Sequence, residues 1–473
     1  MSRLRSLLFA AALAAPSLAA RELPKPILEA LRAASVPQSS VAVLVQDLGD
    51  ARPVLSHNAG VAMNPASVMK LVTTFAALEL LGPAYRWKTE AYVTGSLRDG
   101  VLEGDLALKG YGDPKLDYES FWILLRALRG KGLADLRGDV LLDRNFFAPG
   151  NGDVARFDGD PLRPYNVLPD ALLVNYKSLR FAFVPEPERN AVRIFVEPRP
   201  PAFEVRNSLR LSQGSCPEGR AFRDMLQGSF EAGPQPRAAF AGRYPLACGE
   251  KDINVALLAP NEHVAGVLRE LWGEIGGRWS GAAREAPVPA DARLLHTHDS
   301  APLAQIVRDV NKFSNNVMAR QLYLTLATTA AEPPARAAES ARAIRIWLSA
   351  RGVAAPEFSI ENGSGLSRTD RMSAASLAAL LQAAWQSAVM PEYLASLPLA
   401  AMDGTMKKRL LGEPAAGRAH VKTGLLNDVR SMAGYVLDRK GQRKVVVMLM
   451  NHPNAPDAEA ATDALLRWAY EGK

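Results

Sequence analysis

The stretch Val68 to Leu81 is apolar on almost every face of a helix and is closed by breakers, Asn64-Pro65 before it and Gly82-Pro83 after. A helix without a polar face has no stable place on a surface, so the chain has to build a domain around it. Ser67 then opens a buried helix, where the helix dipole and unpaired N–H groups favour negative charge beside its hydroxyl oxygen. Lys70 follows three residues later on the same face, with its amine in reach of that hydroxyl.

S-x-x-K alone is a weak signal, since a chain this long carries one by chance. Order and context strengthen it. Ser314-Asn315-Asn316 opens a second helical pattern, Lys422-Thr423-Gly424 lies on a strand pattern, and the chain has no other S-x-x-K or K-T-G. Together the three supply every polar group that acyl transfer through a serine ester needs. Ser67 is the expected nucleophile and Lys70 its general base, kept neutral by burial and by Lys422 nearby. Ser314 is expected to relay a proton to the leaving amine, and Asn316 to hold Lys70 and the substrate amide. Lys422 and Thr423 suit a terminal carboxylate. Gly424 would let substrate backbone lie along the strand, with the N–H groups of Ser67 and Leu425 as oxyanion hole.

The coarse pattern places these motifs on one α+β domain. Strand patterns at Ser40–Asp47 and Pro53–His57 precede the Ser67 helix, and helical patterns fill 302–387. Strands at Ala419–Gly424, Arg430–Asp438 and Arg443–Asn451 and a last helix, Asp457–Tyr470, end the chain. These can close one antiparallel sheet flanked by helices, with both chain ends on it. Residues 21–85 and 285–473 would form this discontinuous domain. Residues 86–284 read as a β-rich insertion of two subdomains, with strands at Thr89–Thr94, Val101–Lys109, Asp139–Asp143, Ser178–Val184, Ala191–Glu197 and Phe203–Leu211, and helices near Tyr118–Arg129 and Asn261–Gly276. The Gly-, Asp- and Pro-rich segment Phe147 to Asp170 reads as a surface loop, and 286–290 as a linker.

Residues 1–20 read as a secretory leader: Arg3 and Arg5, an apolar run to Ala15, then small residues. Its removal takes the formal charge from +7 to +5. No later run is long enough to span a bilayer, and no basic cluster with interleaved aromatics points to nucleic acid. His296-Thr297-His298 lacks further ligands for a metal, so neither metal nor cofactor is expected. The two cysteines, Cys216 and Cys248, fit a single disulfide in an oxidising compartment or two buried thiols.

The motif set resembles the penicillin-recognising serine enzymes, and specifically the class C low-molecular-mass penicillin-binding proteins, the D-alanyl-D-alanine carboxypeptidase/endopeptidases of peptidase family S13. Gly110-Tyr111-Gly112-Asp113-Pro114, Gly138-Asp139-Val140-Leu141-Leu142-Asp143, Glu361 to Arg368 (E-N-G-S-G-L-S-R), Leu397-Pro398-Leu399-Ala400 and Asp403-Gly404-Thr405 extend the resemblance over nearly the whole mature chain. It implies a penicillin-binding-protein/serine β-lactamase-like catalytic domain and a periplasmic enzyme acting on peptidoglycan stem peptides and cross-links, with β-lactams acylating Ser67. It also implies paired insertion cysteines at Cys216 and Cys248, and substrate contacts at Asp143 and Arg368. The family usually carries Ser or Thr straight after K-T-G, where this chain has Leu425, so the carboxylate site loses a donor. A serine β-lactamase or esterase on the same core is the alternative enzyme, and a non-catalytic wall-binding scaffold the alternative from another class. Oligomeric state is not legible.

Overall fold

The computed structural model describes residues 22–472 apart from positions 51, 151, 201 and 234, so the expected leader lies outside the described residues. Two distant parts of the chain meet in one antiparallel sheet, ordered Ala419–Leu426, Val429–Leu437, Arg443–Asn451, Val41–Asp47, Pro53–His57. Val41 stands opposite Met450 and Asp47 opposite Lys444. The central strand shows why its sequence is apolar throughout. Val445, Val447 and Leu449 enter the core on one face, and Val446, Met448 and Met450 the core on the other. A strand covered on both sides has no use for alternation.

Helices Lys25–Ala33 and Glu459–Glu471 cover one face. Lys70–Leu81, Leu303–Lys312, Asn316–Ala327 and Ala374–Trp385 cover the other. Lys70–Leu81 is buried at every position from Lys70 to Leu78, as its lack of a polar face requires. Phe75 anchors it between Trp347 and Tyr393, at ring-centroid distances of 5.0 and 5.2 Å. Removing such a ring costs about 3–5 kcal/mol.

The inserted block holds two separate cores. The outer module packs helices Tyr118–Gly130 and Pro260–Glu274 on the sheet Ala283–Glu285, Val140–Asp143, Leu106–Gly110, Lys88–Val93, Arg293–Asp299. The inner module, within 179–258, sets two three-stranded sheets around Phe181, Phe183 and Phe240 and carries the Cys216–Cys248 disulfide. Two expectations need correction. The boundary at 284/285 falls inside the outer sheet, because Arg293–Asp299 pairs back on Lys88–Val93. Val101–Lys109 is two strands in different sheets, broken where a Cβ on Gly104 would lie 2.2 Å from the Thr94 carbonyl oxygen. The segment 147–170 is an irregular surface loop as expected, and its end is seated on the Asn316–Ala327 helix, where Arg320 donates to the Val167 carbonyl and Gln321 to that of Asp170.

Candidate active site

Ser67 sits in a short 3-10 turn, Ala66–Met69, that runs straight into the buried helix. Ala66 ahead of it is left-handed (φ 46°), a conformation costing about 1–2 kcal/mol in an L-residue. The surroundings hold it there. Ala66 N–H donates to Asn64 Oδ1 at 2.9 Å, the Ser431 hydroxyl donates to the Pro65 carbonyl at 2.6 Å, and Gly365 presses against the Ala66 carbonyl.

Lys70 is fully buried, with Nζ 3.0 Å from Ser67 Oγ, 2.6 Å from Asn316 Oδ1 and 2.5 Å from the Ser364 carbonyl. A neutral amine has two N–H bonds and one lone pair. The two N–H groups serve Asn316 and Ser364, which accept only, so the lone pair is left for the Ser67 O–H. Burial foremost, then the positive charges of Lys422 and Arg320, holds this amine well below the usual lysine range; Asp370 opposes them. Burial and the two neighbouring cations both favour the neutral amine over the ammonium.

Asn315 caps the second helix by accepting from Met318 N–H at 3.0 Å. Ser314, left-handed at φ 54°, makes the tight corner between Leu303–Lys312 and Asn316–Ala327. Lys422 reaches it from the third motif, donating to Ser314 Oγ at 2.8 Å and to the Thr423 carbonyl at 2.7 Å. Burial lowers the Lys422 pKa to about 7. The K-T-G strand is the last of its sheet; residues 398–400 pair with its start, Val421 N–H donating to the Pro398 carbonyl, and its edge is open only beyond that point.

Gly424 serves a purpose other than the expected one. A Cβ there would meet Ser431 Oγ at 2.3 Å and Ser67 N at 2.9 Å, so glycine lets strand and nucleophile approach from within. Leu425 turns its side chain to solvent at 57% exposure. A hydroxyl assigned no role from the sequence stands close by: Thr405 Oγ1 lies 2.9 Å from Thr423 Oγ1. Its loop is fixed by Lys312, which donates to Asp403 and to the Leu397 carbonyl. The D-G-T stretch was visible in the chain, but only the fold shows that it faces K-T-G.

Arg368 donates to Asp428 at 2.9 Å and lies 4.5 Å over the Phe157 ring. It lines a pocket of about 330 Å3 with Asp153, Phe157, Glu361 and Leu366. Phe157 and Leu366 also pack against the small cluster of Ala66, Leu426 and Val429 beside the nucleophile. Asp143, expected beside the substrate, does not reach this cleft. It is buried at a strand end, where its carboxylate accepts from the N–H groups of Asn145 and Val288. The acid of that segment which does line the cleft is Asp153, unmarked in the sequence because its loop has no periodicity.

Fold and motif set are those of an active-serine peptidase. The sequence matches the model of the D-Ala-D-Ala carboxypeptidase 3 (S13) family over residues 24–471, and the chain belongs to that family. It is 27% identical over 438 residues to a D-alanyl-D-alanine carboxypeptidase of Actinomadura sp. (strain R39), covering 89% of this chain and 80% of that one. It is 22% identical over 427 residues to the D-alanyl-D-alanine carboxypeptidase DacB of Haemophilus influenzae, covering 90% of this chain and 88% of that one. The crystal structure of penicillin binding protein 4 (dacB) from H. influenzae superposes with a TM-score of 0.75 at 21% identity, over 94% of this chain and 98% of that one. The same protein is also known complexed with a β-lactam.

Proposed function

We propose that the protein is a periplasmic serine DD-peptidase that cleaves peptidoglycan stem peptides after a D-alanine, at chain ends or cross-links, and is acylated by β-lactams. The observation that carries this reading is the Lys70 amine, whose two N–H groups are taken by Asn316 and Ser364 while Ser67 Oγ stands 3.0 Å away. Lys70 takes the Ser67 proton as Oγ attacks the D-Ala carbonyl. The oxyanion is met by the N–H groups of Ser67 and Leu425. Ser314, bonded to Lys422, relays the proton that Lys70 took from Ser67 to the leaving nitrogen as the C–N bond breaks, which leaves the serine ester and a neutral Lys70. Water, deprotonated by Lys70, then releases the acyl group. Lys422 as the ammonium, with the Thr423 and Thr405 hydroxyls, binds the carboxylate of the leaving residue, and Arg368 contacts the acyl-side stem peptide. Among the described residues no helix is long and apolar enough to cross a membrane.

The test is a fluorescent penicillin on the purified mature protein, followed over hours beside Ser67→Ala. Persistent label on the wild type and none on the variant is the expected result. Label that clears within seconds favours a β-lactamase, and no label on a folded wild type favours the scaffold.

A further inference from the structure

The inner module carries a surface that the catalytic cleft does not use. Its strand Arg237–Pro245 runs parallel to Glu204–Ser212 along the whole length of both, with Ser229–Glu231 antiparallel on its other side. Leu209 on one strand and Ala238, Phe240 and Tyr244 on the other enter the core around Phe181 and Phe183. Alternation turns 204, 206, 208 and 210, with 237, 239, 241 and 243, to the opposite face, and that face is open to solvent. Parallel strands are ordinarily covered on both faces, so a bare parallel pair is a face without its cover.

Charge is sorted along it. At one end Arg206 donates to Glu204 at 2.8 Å and Arg237 to Glu231 at 2.7 Å. At the other end Arg210 stands directly opposite Arg243 in the register, both exposed, and neither has a carboxylate within ion-pair distance among the described residues. Arg210 makes a long 3.4 Å contact to its neighbour's carbonyl at Leu209. Like charges set opposite each other weaken a sheet, so an anion lying between the two guanidinia relieves a strain that the chain itself leaves in place. Ser208, Ala239 and Ala241 separate the paired end from the unpaired one, a low bed of small side chains. The face also lacks large exposed apolar side chains; the inner module's one of that kind, Phe195, belongs to the other sheet. A folded protein partner calls for aromatic or aliphatic anchors, and a bilayer for apolar side chains to insert. A flat basic strip with neither fits a hydrophilic polymer that bears carboxylates, which guanidinium forks receive.

We propose that this face of the inner module is an exosite for the peptidoglycan mesh, where Arg210 and Arg243 hold carboxylates of stem peptides that are not themselves being cleaved. The choice of polymer rests on the DD-peptidase reading. The exosite is separate from the cleft: beside Ser67 and Ser314 the inner module contributes Arg180, Glu197, Arg223 and Asn254, none of them on this sheet. Its role is to keep the enzyme on an insoluble substrate between cuts, and the inserted module is what supplies it.

The experiment is co-sedimentation of the purified mature protein with peptidoglycan sacculi. It compares wild type, the double variant Arg210→Glu with Arg243→Glu, and a charge-matched control, Arg32→Glu with Arg52→Glu, both exposed on the catalytic domain. The Arg210 and Arg243 variant should bind about tenfold more weakly, as expected for two solvated charge contacts reversed, and the control should stay within a factor of about 2. Both should keep the wild-type rates of penicillin acylation and of hydrolysis of a soluble peptide ending in D-Ala-D-Ala, which report folding and Ser67 chemistry. Sacculi with amidated carboxylates should hold wild type no better than native sacculi hold the variant. Unchanged binding of the variant, an equal loss in the control, or full binding to amidated sacculi overturns the exosite. So does a wild type that sediments with phosphatidylglycerol vesicles and not with sacculi. A wild type that penicillin does not acylate, yet that binds sacculi through Arg210 and Arg243, removes the DD-peptidase reading and leaves the surface standing.

Discussion

Gly365 makes the sharpest prediction, because it touches neither substrate nor catalytic side chain. Its φ is 76°, and a Cβ built on it would lie 1.9 Å from the Ala66 carbonyl oxygen and 2.9 Å from Ser67 N. Real Cβ contacts do not fall below 3.0 Å, so in Gly365→Ala the 66–67 peptide has to retreat by about 1 Å. That peptide carries the Ser67 N–H, one of the two oxyanion donors in this account. A misplacement of about 1 Å, or loss of one such donor, costs roughly 100-fold in rate. Gly441→Ala is the control: its φ is 81° with nothing within 4 Å, so it carries the same backbone penalty of about 1–2 kcal/mol without the collision. The assay is the second-order rate of acylation by fluorescent penicillin, with Tm measured alongside. Gly365→Ala should fall about 100-fold while Gly441→Ala stays within a factor of about 3. If Gly365→Ala acylates as fast as Gly441→Ala, close packing of Gly365 does not hold the Ser67 N–H in place.

Lys70→Met should abolish acylation yet leave the thermal transition within a few degrees or raise it, since a buried amine is replaced by an apolar chain of similar length; a large loss of Tm with acylation retained contradicts the base assignment. The pH profile follows from the two lysines. Acylation should fall as acid protonates Lys70, and kcat/KM on carboxylate-terminated peptides should fall above about pH 7 as Lys422 loses its charge, whereas a peptide amide should lack that alkaline limb. Asp113, 3% exposed, has its pKa raised by burial to about 7, so between its unfolded value of 3.8 and about 7 the native state holds a proton that the unfolded chain has lost. Stability contributed by this group therefore declines as pH rises through that window, and Asp113→Asn should flatten the decline in a Tm-versus-pH series. Replacing Cys216 and Cys248 by serine opens a crosslink spanning 32 positions, worth about 3–4 kcal/mol to the inner module, and should lower its denaturant midpoint while leaving penicillin acylation intact.

The catalytic domain was legible because its pattern is extreme. The stretches 68–81 and 445–450 are apolar without alternation, and such segments can only be central. Helix starts at Asn315 and Ser373 carried their own caps, each accepting from the N–H three residues on. The inserted block was harder. The strand Arg237–Pro245 is mostly Arg, Ala and Gly, with only Phe240 and Tyr244 as strand formers, and owes its form to parallel pairing with Glu204–Ser212, which local propensity does not encode. Asp143, Asp153 and Thr405 show the same limit at the site. The acid of one quoted motif caps a turn and the hydroxyl of another meets Thr423, while Asp153, beside Arg368, sits in a loop with no pattern. Which side chains converge there depends on contacts hundreds of residues apart, such as Lys70 with Asn316 or Asn64 with Asn451.

Peptide mapping by mass spectrometry after brief exposure to penicillin identifies the acylated residue itself. A single covalent adduct is expected on the peptide containing Ser67, absent from Ser67→Ala and formed at a negligible rate in Lys70→Met. An adduct on any other residue, or full adduct formation without the Lys70 amine, would contradict the roles given to Ser67 and Lys70.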